Sequence, residues 1–173
     1  MAQDLTLFNR VLFGMGVLAL GLIAIFSFRY AQNQRTTVTD FVAADSLIDR
    51  RWFQNLDGTD SLQLSSYKGR EVLLVFWASW SDRSLEVLEQ LDSSQLIHSD
   101  SIVIVAAAVK DNGEEARAYI QSTSYPFNFV EGTIHYLDLR LPGVPSAIRF
   151  NRDTKPTQIY IGEKQILSSI LNP

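Results

Sequence analysis

Two stretches of this chain are apolar at every position: VLLVFW at residues 72–77 and IVIVAAAV at residues 102–109. A strand with one wet face alternates polar and apolar residues. Strands with no alternation, rich in Val, Ile and Phe, are buried on both faces of a covered sheet. Between the two runs, Leu85, Leu88, Leu91 and Leu96 recur at near-helical spacing, with Glu86, Glu89, Gln90 and Asp92 on the other side. That spacing predicts an amphipathic helix. A chain built this way has to cover both faces of a central sheet.

The remaining elements fit around this unit. Residues 52–64 alternate weakly about Asp57-Gly58, a turn signal, and Lys68-Gly69 marks a second turn. Asp111-Asn112-Gly113 is a start signal for a helix over residues 114–122. Residues 146–150 and 157–161 read as a pair of strands about the turn Asn151-Arg152-Asp153, and residues 166–171 as a closing helix. The order strand, helix, strand, helix, strand, strand, helix indicates an α/β domain with a central mixed sheet.

Ahead of the domain, Val11–Phe28 is an 18-residue run without charge, bracketed by Arg10 and Arg29. As a helix it is about 27 Å long, close to the hydrocarbon thickness of a bilayer. A cleaved signal peptide has a shorter apolar core and a small-residue cleavage site, which is not evident before Arg29. The expected organisation is a transmembrane anchor over residues 1–29, a polar tether over 30–50 and the α/β domain over 51–173. Arg10 on one side and Arg29 with Arg35 on the other leave the orientation undecided by charge.

Composition excludes several chemistries. The formal net charge is −4 and no basic run is present, so phosphate-driven binding of nucleic acid is not expected. The chain has no cysteine, which removes disulfides, thiolate nucleophiles and Cys-ligated metals. No phosphate loop, metal-ligand cluster or paired carboxylate motif is present, so no cofactor and no metal are expected. The two histidines, His98 and His135, read as surface or hydrogen-bonded structural residues. Arg50-Arg51 and Arg149 with Arg152 read as solvated charges.

The strand at residues 72–77 runs into WASWSDRS, residues 77–84, where Ser81 and Ser84 stand three apart at the head of the helix. As chemistry the pair is inert without a base: a serine nucleophile needs a neighbouring histidine oriented by a third group. As structure it is a helix start, with Ser81 capping a free backbone N–H and Asp82 at the positive end of the dipole.

Four motifs in order, Asp57-Gly58, Lys68-Gly69, Trp77-Ala78-Ser79-Trp80 and Gly143-Val144-Pro145-Ser146, resemble the thioredoxin-like domain of TlpA-like and ResA-like membrane-anchored thiol-disulfide oxidoreductases. The resemblance spans about residues 52–171. It implies a thioredoxin-like fold, a cis-proline at Pro145, and a redox pair at the positions held here by Ser81 and Ser84. It also departs at Val87, Glu89 and Lys155, where the family carries an acid, a proline and a glycine. Thiol-disulfide exchange needs a thiolate that attacks sulfur and leaves as one, which serine cannot do.

The expected function is therefore that of a redox-inactive, membrane-anchored thioredoxin-like protein. It would bind proteins as an accessory or assembly subunit of a larger membrane complex. Trp80, Asp82, Arg83, Val144 and Pro145 are the candidate contact residues, with Val144 offering backbone for strand addition. The resemblance favours the periplasmic face of the inner membrane. The alternative is an oxidoreductase whose cysteines were replaced by serine. A hydrolase or peroxide-reducing enzyme on the same scaffold is disfavoured by the missing base and the missing thiol.

Overall fold

The computed structural model describes residues 15–29, 47–94, 102–111 and 113–171. Contacts divide the chain into two compact units, 1–38 and 39–173. In the first, residues 15–29 are helical (α1), with every side chain exposed. Among the described residues no helix is long and apolar enough to cross a membrane. The expected anchor, residues 11–28, begins outside the described residues.

The second unit holds strands β1 (Trp52–Gln54), β2 (Ser61–Gln63), β3 (Glu71–Trp77), β4 (Ile102–Ala108), β5 (Asn128–Glu131), β6 (Ser146–Phe150) and β7 (Pro156–Ile161). Its helices are α2 (Asp82–Ser93), α3 (Gly113–Ser122), α4 (Thr133–Asp138) and α5 (Glu163–Leu171). A short 3-10 turn at Ile48–Arg50 leads into β1, and Ile48 and Asp49 are buried. The sheet order is β5-β4-β3-β6-β7. β3 runs parallel to β4 and β4 to β5, while β6 is antiparallel to both β3 and β7. This is the mixed central sheet expected from the sequence.

The two continuous apolar runs form the sheet's centre. Residues 72–77 of β3 and 103–108 of β4 are buried at every position. Leu73, Val75 and Trp77 point to one face, where Val87, Leu88 and Leu91 of α2, Ala116 of α3 and Ile166 of α5 cover them. Alternate positions point to the other face, where Phe76 meets Tyr136 of α4 at a ring separation of 6.1 Å. Each fully buried large aliphatic or aromatic side chain contributes about 1.5–3 kcal/mol, which is why alternation is absent from these strands. The β1–β2 hairpin turns at Gly58, whose φ of +74° a side chain would strain.

Two elements were not expected. β5 has four residues and α4 has six, too few for either periodicity to register. Both depend on tertiary contact. Gly132, between them, lies so near β4 that a Cβ there would stand 2.7 Å from the Ala107 Cβ. Two arginines expected to be solvated are paired. Arg51 bonds Asp138 of α4 at 3.0 Å. Arg149 bonds Glu71 across β6 and β3 at 2.6 Å, which raises the guanidinium further above its ordinary value.

Candidate functional site

Parallel strands carry their following loops to one edge of a sheet, and here β3, β4 and β5 bring three loops together. The loop after β3 is Ala78-Ser79-Trp80-Ser81. Asp111, after β4, takes both the backbone N–H and the hydroxyl of Ser79, each at 2.6 Å. The Trp80 indole N–H donates to the Lys110 carbonyl at 3.2 Å. Lys110, at φ +48°, donates its own N–H to Thr133 Oγ1 at 2.9 Å, at the start of α4. The Thr133 N–H donates to Glu131 Oε1 at 2.9 Å. The chain of bonds fixes the loop, yet Trp80 remains 59% exposed. An aromatic held rigid and left in water is the kind of residue on which protein interfaces are centred.

The head of α2 follows. Ser81 has extended φ and ψ of −111° and 102°, and its hydroxyl accepts from the Ser84 N–H at 3.3 Å. That makes it the N-cap. The same N–H also reaches the Ser81 carbonyl at 2.8 Å, so the side chain shares the donor. Asp82 and Arg83 are exposed on the first turn.

Ser84 is different. It lies on the inward stripe with Val87, Leu88 and Leu91 and is fully buried. Its Oγ has no hydrogen-bond partner among the described residues. The sequence gives Ser84 no role; the structure gives it a cost, because a buried hydroxyl without a partner is unfavourable by about 1–3 kcal/mol. A thiol at the same place would be at ease, since cysteine buries as a small hydrophobe. Val87, also fully buried, offers no proton acceptor nearby.

Register places the third piece. Phe76, at the end of β3, pairs with Ser146, the first residue of β6. The residues just before Ser146 therefore stand beside the loop that carries Trp80. The Val144–Pro145 peptide bond is cis. Pro145 is buried, and its carbonyl accepts from the Gly162 N–H at 2.9 Å. Val144 is half-buried, and its backbone N–H and carbonyl enter no hydrogen bond among the described residues.

The histidines do not join this site. His135 Nε2 donates to the Trp52 carbonyl at 2.9 Å, and its ring packs on Phe53 at 4.2 Å. Burial holds its pKa below the ordinary 6.5. Its Nδ1 is buried without a partner among the described residues. His98 lies outside the described residues. Among the described residues no group of three His, Asp or Glu side chains could hold a metal ion. A groove of about 320 Å³ between Asn55, Arg117 and Phe127 shares no residue with the Trp80 loop.

Sequence reasoning missed Ser79, Asp111, Thr133 and Glu131. In the sequence Asp111 stands only in a helix start signal, and nothing there joins it to Ser79.

No family model matches the chain, and no curated protein matches it. Solved structures do. A secreted Mycobacterium tuberculosis disulfide oxidoreductase homologous to E. coli DsbE superposes with a TM-score of 0.60 at 13% identity, covering 75% of this chain and 100% of that one. StoA from Bacillus subtilis gives 0.57 at 19% identity, over 70% and 93%. A thiol:disulfide interchange protein of the thioredoxin family from Chlorobium tepidum gives 0.57 at 14% identity, over 70% and 93%. At these identities the likeness establishes the fold: a thioredoxin-like domain, in a chain without cysteine.

Proposed function

We propose that this protein is a redox-inactive thioredoxin-like module that binds other proteins through the surface formed by Trp80, Asp82, Arg83, Val144 and Pro145. The observation that carries this reading is Trp80, 59% exposed and pinned by its indole N–H to Lys110. Beside it, the unpaired backbone of Val144 suits an extended segment of a partner, added as a strand. The chain has no thiol to turn such binding into exchange. The protein is then an accessory or assembly subunit rather than an enzyme. The charge-free run Val11–Phe28 supports anchoring in the inner membrane as part of a larger complex, with the domain on the periplasmic side.

A photo-crosslinking residue at position 80 or 144 of the full chain, in its native membrane, tests this. One discrete adduct at both positions, absent when the probe is placed at the exposed Lys164 of α5, is the expected result. A chain recovered from mild detergent as a lone monomer, with no adduct above the Lys164 control, would sink the reading. Alkaline extraction tests the anchor: the full chain should stay with the membrane and a chain lacking residues 1–29 should not.

A second reading rests on Ser84. A fully buried hydroxyl without a partner suits a position shaped around a thiol. On this reading the two serines replace the cysteines of a thiol-disulfide oxidoreductase. The native gene decides: cysteine codons at 81 and 84 would establish replacement.

A further inference from the structure

The five-stranded sheet has two edges, and the chain treats them differently. At the β5 edge, Asn55 bridges Val130 in antiparallel fashion and the Leu56 N–H donates to the Phe129 carbonyl at 3.1 Å. That edge is covered by the segment following β1. At the other edge, no strand among the described residues pairs with the outer side of β7.

Register shows which groups are open. The Gly162 N–H donates to the Pro145 carbonyl, and β6 pairs with β7 as Ser146 with Ile161, Ala147 with Tyr160 and Ile148 with Ile159. Bonded pairs alternate along an antiparallel ladder. Tyr160 therefore spends its backbone groups on Ala147, and the N–H and carbonyl of Ile159 face away from the sheet. Ile161 faces the same way, but Gln165 Oε1 accepts its N–H at 2.9 Å. Pro156 begins the strand without an N–H to offer, and a bulge interrupts the register near Phe150. Both ends of the edge are thus blunted, and the open stretch is centred on Ile159.

Edge strands of monomeric proteins are commonly guarded by charge, and an unguarded one is a template for another strand. Between Pro156 and Ile161 there is no charged residue. We propose that this edge is a self-association surface, with β7 pairing antiparallel to β7 of a second copy about a twofold axis at Ile159.

The sequence is self-complementary in that register. Ile159 meets Ile159 of the second copy, giving two reciprocal N–H to carbonyl bonds. Thr157 falls opposite Ile161 and Gln158 opposite Tyr160, so no like charges oppose each other. At the two ends, Lys155 comes to stand near Glu163 of the second copy, an opposite pair made twice by symmetry. Lys155 is exposed. Shifting the register by one residue would move Ile159 away from its twin and put Gln158 and Tyr160 on the face that Ile159 and Ile161 now share.

The absence of native cysteine makes the test clean. Single variants of the full chain, Ile159→Cys and Ser168→Cys on α5, are treated with a short bismaleimide in mild detergent. Pairing predicts a cross-linked dimer for Ile159→Cys and little for Ser168→Cys. Sedimentation of variants that leave the strand untouched reads the charges. Lys155→Glu should weaken association roughly fivefold, and Lys155→Glu combined with Glu163→Lys should restore it. A chain monomeric at every concentration overturns the proposal. So does equal cross-linking at the two positions, or a dimer indifferent to Lys155→Glu, which would show association through another surface.

Discussion

Two serines three residues apart should respond to mutation with opposite signs. Ser84 Oγ is fully buried with no partner among the described residues, so it lost its hydrogen bonds to water on folding and gained none from them. Ser84→Cys keeps the side-chain shape, has about the same helix propensity, and replaces the hydroxyl by a group that tolerates burial. We expect it to stabilise the domain by about 1 kcal/mol, the lower end of the penalty for an unsatisfied hydroxyl. Ser84→Ala should gain a similar amount. Its better helix propensity adds up to about 0.5 kcal/mol, and the roughly 10 Å³ void subtracts about 0.2 kcal/mol. Ser81→Ala goes the other way. It removes the cap, but the Ser84 N–H keeps the Ser81 carbonyl at 2.8 Å, so the loss is about 0.5 kcal/mol. Urea unfolding followed by tryptophan fluorescence measures all three, with slopes that should match the wild type. In heat, the Ser84→Cys gain corresponds to about 3–5 °C. If both Ser84 variants lose more than about 0.5 kcal/mol, the hydroxyl is bonded in the folded protein and the reasoning fails.

Asp111→Ala removes two charge-assisted bonds to Ser79 and should cost about 2 kcal/mol, with faster amide exchange at Ser79 by NMR. His135 is held below its ordinary pKa of 6.5 by burial, so between the folded value and 6.5 the unfolded chain binds more protons. Stability should therefore be flat above about pH 6.5 and fall as the pH drops below it, and His135→Gln should reduce that slope in urea titrations at pH 7.5 and 5.5. Introducing two thiols, Ser81→Cys with Ser84→Cys, should yield an intrachain disulfide under mild oxidant, seen as a loss of two hydrogens by mass spectrometry and reversed by dithiothreitol. A double variant whose thiols stay free under oxidant would show that the geometry at the head of α2 does not suit a redox pair.

The sequence by itself determined the central sheet, because burial on both faces leaves no polar position at residues 72–77 of β3 or 102–108 of β4, and a run without alternation is visible in one dimension. It also determined the chemistry that is missing, since no arrangement of a chain without cysteine can exchange disulfides. It marked Ser81 as a cap, because capping is local: donor and acceptor lie within one turn. Tertiary structure alone decided the rest. β5 and α4 are too short to carry a period and exist because they pack on β4. Asp111 reaches Ser79 across 32 positions, and Arg149 reaches Glu71 across 78, distances over which sequence patterns carry no information. Ser84 shows the division best. Its spacing from Ser81 was legible, but whether its hydroxyl faced water or the core depended on which stripe of α2 met the sheet. Only packing settles that, and packing turned a serine without a role into a buried group without a partner.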